Sequence, residues 1–313
     1  MSAPSPAQHA DPRAALFAAE DALLRTAGVP VERGEAPGPN GARLHYLTCG
    51  EGEPLVLLHG RGSAGALFTP IFASLAAQRR VIALDLPGWG LSDKPPFTGH
   101  TAQDALQVWV DGVVALLDHL GLESVDLLGH SMGGFTALGV ALQHPTLVRR
   151  LALADSGGLG RDVALDVRLY YWLKPERLHR WWGRDITARV IALDGSKRQV
   201  PRDEAFEFTW AVTTQRDVIP SGARAFDHWI SLMGVHLDLL NRLREIEVPT
   251  LLLWGERDHL TPYANALRAR KLLRYGRLVA FTKCGHSPFA ERPEDFARVV
   301  NVWLNGGGAP SRV

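Results

Sequence analysis

Residues 125–134 read VDLLGHSMGG, and this stretch decides the fold. The apolar run Val125–Leu128 ends in a Gly-x-Ser-x-Gly pentapeptide centred on Ser131, and the helical pattern Met132–His144 follows directly. This strand–turn–helix order holds the serine in a strained backbone conformation, where larger side chains two positions to either side would collide with neighbouring backbone. The helix N-terminus brings unpaired N–H groups and a positive dipole end to the serine oxygen. The stretch therefore predicts that Ser131 is a nucleophile rather than part of a purely structural turn.

The alternation of strand and helix patterns extends along the chain. Most of the short apolar runs lack period-two alternation, which is typical of strands buried on both faces. This order predicts an α/β fold with a mostly parallel, eight-stranded-type sheet flanked by helices, preceded by an antiparallel hairpin from 31–35 and 43–48. The predicted strands are Pro54–Leu58, Val81–Leu84, Val125–Leu128, Leu147–Ala154, Thr250–Trp254 and Leu278–Phe281, and the predicted helices are Leu67–Ala77, Thr101–Leu120, Met132–His144, Tyr263–Leu273 and Pro293–Leu304.

The alternation stops between residues 156 and 243, where strand patterns disappear and five of the nine tryptophans are found. A helical, aromatic insertion after the sixth strand predicts a cap, or lid, over the carboxyl edge of the sheet. We expect Trp172, Trp182 and Trp210 of the cap, together with Phe289, to contact the substrate; the alternative is that the aromatic residues form the cap's own core. The predicted parts are an N-terminal helical leader (1–30), an α/β core (31–155 and 244–305), the cap (156–243) and a flexible tail (306–313).

The leader carries a short amphipathic pattern. Asp11-Pro12 has the form of a helix cap followed by a first-turn proline, and Leu16 and Leu23 recur at helical spacing. The segment lacks the apolar core of a secretory signal. We expect this helix to pack on the body of the protein, with docking on a partner or covering of an opening as the alternatives.

Composition restricts the partners and the compartment. Thirty-four basic residues against 33 acidic ones leave a formal charge of +1, which excludes duplex nucleic acid or an anionic membrane as a strong partner unless a local patch is hidden in the average. No apolar run approaches the roughly 18 residues of a membrane span. Cys49 and Cys284 cannot form a disulfide framework, so a reducing, cytoplasmic location is predicted. We expect a monomer or homodimer that acts on a small molecule.

The predicted nucleophile needs two further groups. A serine hydroxyl is a weak nucleophile that requires a base, and the base requires an orienting acid. His286 lies in a loop after the last predicted strand, and Asp258 follows the strand before it, so that the chain order is Ser, Asp, His. The sequence therefore predicts a triad of Ser131, His286 and Asp258, with Asp155 as a rival acid.

Acyl transfer also needs N–H donors for the oxyanion of its tetrahedral intermediate. The segment His59–Gly62 follows a predicted strand, where a loop amide can face the turn at Ser131. The backbone N–H groups of Arg61 and Met132 are the predicted pair of donors. The Arg61 side chain is expected to face solvent, with contact to a substrate carboxylate as the alternative.

A competing motif overlaps this loop. Residues 60–65 satisfy Gly-x-Gly-x-x-Gly between a strand and a helix, and Asp85 lies twenty residues beyond the last glycine, as in a dinucleotide-binding fingerprint. Asp85 runs on into a tight turn at 86–93, however, and a dinucleotide leaves the serine, aspartate and histidine unexplained. We predict no cofactor and no metal ion.

With these residues the chain resembles the α/β-hydrolase superfamily, and within it the lid-bearing esterases, lactonases and carbon–carbon hydrolases. The resemblance implies two-step acyl transfer by a carboxylesterase-like enzyme, acting on an ester, a lactone or an activated carbon–carbon bond of a small to medium hydrophobic substrate. It extends from about residue 43 to residue 304 and rests on His59-Gly60, the turn 85–92, Gly129–Gly134, Asp258 with Pro262, and Gly285-His286.

The resemblance leaves several activities open. Relatives that open epoxides or carbon–halogen bonds use an aspartate nucleophile, and Ser131 disfavours those activities. Hydrolases of ring-cleavage products usually carry a tryptophan soon after the catalytic histidine, where this chain has Ser287-Pro288-Phe289. A perhydrolase or acyltransferase would use the same triad, and some receptors on this fold keep a triad without catalysis.

Overall fold

The structure is built around one eight-stranded sheet. It is a computed structural model that describes residues 12–174, 176, 178, 181–186, 203–308 and 311–313. The second strand is antiparallel to both of its neighbours and all other neighbouring pairs are parallel, so the predicted mostly parallel α/β sheet is confirmed. In sheet order the strands are β1 (Glu32–Pro37), β2 (Arg43–Cys49), β4 (Arg80–Leu84), β3 (Pro54–Leu58), β5 (Val125–His130), β6 (Val148–Ala154), β9 (Thr250–Gly255) and β10 (Gly276–Phe281).

Helices flank the sheet, and the insertion between β6 and β9 contains further helices together with a short hairpin of β7 (Ile230–Ser231) and β8 (Gly234–Val235). The sequence predicted no strand there. None of the helices in the described ranges is both long enough and apolar enough to cross a membrane. The helices are α1 (Pro12–Leu24), α2 (Thr69–Ala76), α3 (Ala102–His119), α4 (Met132–Gln143), α5 (Leu165–Trp172), α6 (Glu204–Thr213), α7 (Arg224–Trp229), α8 (Tyr263–Leu272), α9 (Pro288–Glu291) and α10 (Pro293–Leu304).

The carboxyl ends of four adjacent strands meet at one edge of the sheet. His130 at the end of β5 pairs with Ala154 of β6, and Ala154 pairs with Leu253 of β9. Gly255 at the end of β9 pairs with Phe281 at the end of β10. β5 and β9 are buried along their whole length, as their apolar patterns predicted. Because parallel strands end at a common edge, the residues that follow them, at 131, 155, 256–258 and 282–286, are brought together.

Helix α1 contacts both the core and the cap. Leu16, Glu20 and Leu23 lie on one face of the helix and are buried. The Glu20 carboxylate accepts a hydrogen bond from Arg33 Nε at 2.7 Å and lies 3.1 Å from His45 Nε2. A buried carboxylate needs such partners, because an unpaired buried charge is strongly destabilising. The same helix also packs against α6 of the cap.

The C-terminal residues pair with the outer strand β10, although the sequence predicted a flexible tail at 306–313. The Ala280 N–H donates to the Ser311 carbonyl at 3.1 Å, the Val313 N–H donates to the Ala280 carbonyl at 2.8 Å, and the Thr282 N–H donates to the Val313 carbonyl at 2.8 Å. The prediction is wrong for residues 311–313. The glycine and proline content of a segment indicates how flexible it is in isolation. An open sheet edge supplies hydrogen-bond partners for the backbone groups of such a segment and can order it.

Candidate active site

The turn after β5 has a strained backbone. Ser131 has φ 54° and ψ −116°, outside the conformations that residues other than glycine normally adopt. A Cβ on Gly129 would lie 2.3 Å from the Gly133 carbonyl oxygen, and a Cβ on Gly133 would lie 2.1 Å from the Leu58 carbonyl oxygen. Glycine at both positions therefore lets β3, β5 and α4 approach this closely, and the turn presents Ser131 at the N-terminus of α4.

His286 and Asp258 form a buried pair at the same sheet edge, with His286 Nδ1 2.8 Å from Asp258 Oδ2. The other oxygen, Oδ1, accepts hydrogen bonds from the N–H groups of Leu260 and Thr261 at 2.8 and 2.9 Å. Burial alone would raise the pKa of Asp258, but the charge of His286 and the hydrogen bonds from His286 and Thr261 outweigh it and lower the pKa. Asp258 is therefore ionised at neutral pH and oriented towards His286.

The rival acid, Asp155, lies against this pair, and its pKa is shifted in the opposite direction to that of Asp258. A carboxyl oxygen of Asp155, one of Asp258 and a ring nitrogen of His286 lie within 4.8 Å of one another. Asp155 Oδ1 accepts a hydrogen bond from the Gly255 N–H at 2.9 Å. Burial, and after it the charge of Asp258, raises the pKa of Asp155 well above its usual value. The proton is therefore held more tightly by Asp155 than by Asp258, and a carboxyl group in its neutral form does not stabilise an imidazolium by charge.

The two carboxyl groups and the imidazole of these three side chains are also groups that bind metal ions in proteins. Both oxygens of Asp258 already accept hydrogen bonds, one of them from the Thr261 hydroxyl at 2.5 Å. The raised pKa of Asp155 favours the protonated form of its carboxyl group. Metal ligands must be deprotonated and free to bind, so this set of donors suits a hydrogen-bonded triad better than a metal ion.

Two further histidines hold the backbone around the site. His130 Nε2 lies 2.8 Å from the His286 carbonyl oxygen, and the two rings pack with centroids 4.9 Å apart. The Leu86 N–H donates to His59 Nε2 at 2.9 Å, so His59 carries its proton on Nδ1, which donates to the Gly60 carbonyl at 2.7 Å. Burial lowers the pKa of His59 to about 4 and that of His130 to about 3. Both rings are neutral at neutral pH and serve as supports for the two loops.

The loop after β3 lies directly against the serine turn. A Cβ built on Gly60 would be 3.1 Å from the Cβ of Ser131, so the next amide, that of Arg61, follows immediately beside the turn. Met132 is the first residue of α4, and the N–H groups of the first helical turn have no partner within the helix. The backbone N–H groups of Arg61 and Met132 stay the predicted oxyanion donors, and both residues adjoin the serine turn.

Asp85 has a structural role that accounts for the glycine fingerprint. Its Oδ1 accepts a hydrogen bond from the Gly65 N–H at 2.7 Å, and its Oδ2 accepts one from the Leu91 N–H at 2.7 Å. A Cβ on Gly65 would lie 2.8 Å from the Ala83 carbonyl oxygen, so glycine here allows the loop to pack closely on β4. The Asp85 carboxylate is fully buried and its oxygens join two loops, which leaves neither for a ribose.

A narrow cavity lies at Ser131 between the sheet edge and the cap. Its volume of about 30 Å³ is that of one water molecule. Its aromatic lining consists of Tyr171, Phe226 and Trp229, and the Phe226 ring packs edge-on against the other two at centroid distances of 5.0 and 5.4 Å. A substrate can therefore reach Ser131 through this cavity only if cap side chains move. Sequence reasoning missed these three residues, since nothing local distinguishes them from the other aromatic residues of the cap.

The four aromatic residues that the sequence predicts to contact the substrate do not line this cavity. Among the described residues that line the cavity, none is Trp172, Trp182, Trp210 or Phe289. Trp172 is 54% exposed, Trp182 and Trp210 are partly buried, and the Phe289 ring packs 4.9 Å from the ring of His130. The side of a cap helix that faces the nucleophile depends on how that helix docks, which a count of tryptophans does not reveal.

Arg61 is buried, although its side chain was expected to face solvent. Its Nη2 lies 2.6 Å from Glu176 Oε1, and the two side chains are 7% and 2% exposed. Its guanidinium carbon lies 4.6 Å from the Tyr171 ring centroid and 4.7 Å from that of Phe226. Burial alone would lower the pKa of Arg61, but the charge of Glu176, together with the electrostatic effects of Tyr171, Tyr170 and Asp227, outweighs it and raises the pKa. The arginine beside the serine turn is thus an ion-pair partner of the cap.

Comparisons with known proteins agree with this architecture. Residues 53–293 match the family described as alpha/beta hydrolase fold. The chain is 30% identical over 275 residues to a 2-hydroxymuconate semialdehyde hydrolase of Pseudomonas sp. (strain CF600), and this match covers 84% of the chain and 91% of the relative. The chain is also 28% identical over 287 residues to a 2-hydroxy-6-oxo-2,4-heptadienoate hydrolase of Pseudomonas putida, and this match covers 88% of the chain and 98% of the relative. The crystal structure of a carboxylesterase from Bacillus subtilis shares the fold with a TM-score of 0.78 at 22% identity, over 96% of this chain and 100% of that one.

The chain therefore belongs to the α/β-hydrolase family. The resemblance inferred from its motifs is confirmed, and the two Pseudomonas relatives described above are enzymes named as hydrolases. Because semialdehyde and heptadienoate hydrolases match this chain in sequence and a carboxylesterase shares its fold, the relationship defines an α/β-hydrolase enzyme without defining which bond it cleaves.

Proposed function

We propose that this hydrolase cleaves an ester-like bond of a small to medium hydrophobic substrate through an acyl-enzyme on Ser131. The observation that supports the proposal most directly is the 2.8 Å contact between His286 Nδ1 and Asp258 Oδ2, at the sheet edge that also presents Ser131. With Nδ1 bound to the acid, the mechanism assigns acceptance of the serine proton to the other ring nitrogen, Nε2. The three residues then act as nucleophile, base and orienting acid.

In the first step Ser131 Oγ attacks the substrate carbonyl carbon while its proton passes to His286 Nε2. The carbonyl electron pair moves onto the oxygen, and the N–H groups of Arg61 and Met132 hold the resulting oxyanion. The ionised Asp258 stabilises the imidazolium. The bond to the leaving group then breaks, and His286 returns the proton to the leaving oxygen.

The second step releases the acyl group. A water molecule attacks the acyl carbon while His286 Nε2 takes one of its protons, and the second tetrahedral intermediate uses the same two N–H donors. Collapse of this intermediate breaks the bond to Ser131 Oγ, which recovers its proton from His286. The products are a carboxylic acid and the free enzyme.

The lining of the cavity supports a hydrophobic acyl or alkyl group. Besides its aromatic residues, the cavity is lined by Ile230 and Val235 of the cap hairpin, and apolar walls bind apolar groups. Cleavage of a lactone or an activated carbon–carbon bond would use the same acyl-enzyme. The tryptophan usual in ring-cleavage-product hydrolases is replaced here by the segment 287–289, and the Phe289 ring packs against His130. Ester cleavage is therefore the activity to test first.

The test is the Ser131→Ala variant with short p-nitrophenyl esters. We expect kcat to fall to the uncatalysed background, a loss of up to roughly 10⁶-fold, because the nucleophile and its base act as a unit. A fluorophosphonate probe should label the wild type and leave Ser131→Ala unlabelled. The melting temperature of the variant is the control for its fold.

Retained hydrolysis in a folded Ser131→Ala variant would contradict the proposal. A wild type that is labelled once but does not turn over would favour a receptor over an enzyme. Addition of an alcohol or hydrogen peroxide to the assay separates acyltransferase or perhydrolase activity from hydrolysis, since only the group that attacks the acyl-enzyme differs. A screen of esters, lactones and vinylogous diketones then defines the bond that is cleaved.

A further inference from the structure

We propose that the Arg61–Glu176 pair selects substrates by charge: Glu176 cancels the charge of Arg61, so the site accepts an uncharged acyl group and discriminates against one that carries a carboxylate. This inference deepens the proposed function and rests on it. It assigns a specificity role to two side chains that the acyl-transfer chemistry does not use.

The position of Arg61 gives its charge access to the cavity. Arg61 follows Gly60, which lies against Ser131. Its guanidinium carbon is 4.6 Å from the Tyr171 ring centroid and 4.7 Å from that of Phe226, and both rings line the cavity at Ser131. Because the guanidinium packs on two rings that line the cavity, its charge acts electrostatically on a group that the cavity holds.

The burial of the pair makes its net charge important. The Arg61 and Glu176 side chains are 7% and 2% exposed, and Nη2 lies 2.6 Å from Oε1. Charges interact much more strongly in such surroundings than in water, so an anionic group near Arg61 also feels the repulsion of Glu176. As a pair, the two side chains offer an incoming carboxylate little net attraction to offset the loss of its hydration.

The pair is held by charge more than by a set of well-formed hydrogen bonds. Within the described residues, Arg61 Nε and both carboxylate oxygens of Glu176 have no hydrogen-bond partner. Guanidinium N–H groups in a fork match a carboxylate, so the N–H groups of Arg61 would suit an anionic ligand once the charge of Glu176 is removed. The glutamate therefore masks an anion site.

Nearby charges of the cap do not replace the charge of Glu176. Asp227 is another carboxylate that acts on Arg61, and it forms its own ion pair with Lys174. Glu176, Lys174 and Asp227 all line a second cavity of about 270 Å³ on the cap side of Arg61. Neutralising Glu176 alone thus leaves an excess positive charge at Arg61.

A preference for uncharged substrates would separate this enzyme from a relative of similar sequence. That relative is named for 2-hydroxy-6-oxo-2,4-heptadienoate, which is a carboxylate. The difference follows from the Arg61–Glu176 contact in this chain, so it can be tested by changing one charge.

The experiment compares two esters of similar length, p-nitrophenyl heptanoate and mono-p-nitrophenyl adipate, with Ser131→Ala supplying the background rate. We expect wild-type kcat/KM to favour the heptanoate by about tenfold or more, and Glu176→Gln to reduce that ratio about tenfold by exposing the charge of Arg61 to the adipate carboxylate. Adding Arg61→Gln to Glu176→Gln should remove the gain for the adipate ester. Glu207→Gln is the matched control, because Glu207 is an exposed cap carboxylate paired with Arg184, and it should leave the ratio unchanged.

The outcomes separate the inference from the proposed function. If Glu176→Gln changes both rates by the same factor, the pair only holds the cap in place and the inference is overturned. A wild type that hydrolyses the two esters equally well overturns it too, whether or not the variant folds. If the wild type hydrolyses neither ester and is not labelled by a fluorophosphonate, the proposed function fails and the inference fails with it.

Discussion

The sheet edge and the cap meet at Ser131, but they are held in place in different ways. At the sheet edge, Ser131, Asp258 and His286 each follow a parallel strand, so the register of the sheet sets their relative positions. In the cap, Phe226 and Glu176 come from segments that are docked through side chains, including the ion pair with Arg61. We infer that the first region sets the reaction and the second sets the choice of substrate.

The largest effect should come from the two acids of the sheet edge. We expect Asp258→Asn to lower kcat by roughly 10³- to 10⁴-fold, because an amide neither stabilises the imidazolium nor holds the correct tautomer of His286. Asp155→Asn should lower kcat only a few-fold, because the raised pKa of Asp155 favours its neutral form, which an amide matches in charge and shape. The kcat for a short p-nitrophenyl ester measures both.

These two variants also test the assignment of the acid. A loss of a few-fold with Asp258→Asn, together with inactivation by Asp155→Asn, would transfer the role of acid to Asp155. Circular dichroism and the melting temperature serve as controls, since both carboxyl groups are buried and either substitution could disturb the fold.

An intermediate effect, on selectivity, is expected from the cap. Ile230→Ala enlarges the cavity at Ser131, so we expect the kcat/KM ratio of longer to shorter p-nitrophenyl acyl esters to rise, by about fourfold for each methylene that the new space accommodates. Val212→Ala, a buried cap residue that does not line this cavity, is the matched control for loss of stability. An unchanged chain-length profile with Ile230→Ala would mean that the substrate does not occupy this cavity.

The smallest effect on activity should accompany a clear effect on the pH dependence of stability. The pKa of Asp155 is raised in the folded protein, so above about pH 4 the unfolded chain loses this proton while the folded protein keeps it. The contribution of Asp155 to the free energy of unfolding therefore falls as the pH rises, until the pKa of the folded protein is reached. The amide of the Asp155→Asn variant does not titrate and makes no such contribution. Relative to the wild type, Asp155→Asn should therefore gain about 1.4 kcal/mol per pH unit in this range.

Melting curves of the wild type and Asp155→Asn at several pH values between acid and neutral provide the measurement. Asp118→Asn, at an exposed position of α3, is the control for a change of charge without burial. A stability difference between Asp155→Asn and the wild type that does not change with pH would show that Asp155 ionises in the folded protein as it does in the unfolded chain.

The sequence alone predicted the sheet and the residues at its carboxyl edge. Buried parallel strands appear as continuous apolar runs, and the residues that follow them must meet where the strands end, so Ser131, Asp258 and His286 could be named without coordinates. The glycines at 129 and 133 identified the serine turn because only a residue without a side chain fits there. The protonation state of Asp155 could not be predicted, since it depends on a neighbour about a hundred residues away in the chain.

The sequence did not predict how the cap and the C-terminus pack. The side chain of Arg61 becomes buried only because Glu176, Tyr171 and Phe226 are brought over it, and none of these contacts is local in the chain. Residues 311–313 likewise pair with β10, which is distant from them in the chain but offers hydrogen-bond partners at the edge of the sheet. In both places the surroundings, and not the local composition, determine the outcome.

Helix α1 changes how the cap can be exchanged between relatives. Residues 156–243 are continuous in the chain, so the insertion could be taken for a segment that can be exchanged alone. Helix α1, however, packs on α6 within that insertion. Glu20 of α1 is bound at the same time by Arg33 and His45 at the edge of the sheet. A chimera that received only a foreign insertion would leave α1 facing an unmatched surface. The unit of recombination in this protein is therefore discontinuous: the insertion together with a helix encoded well over a hundred residues before it.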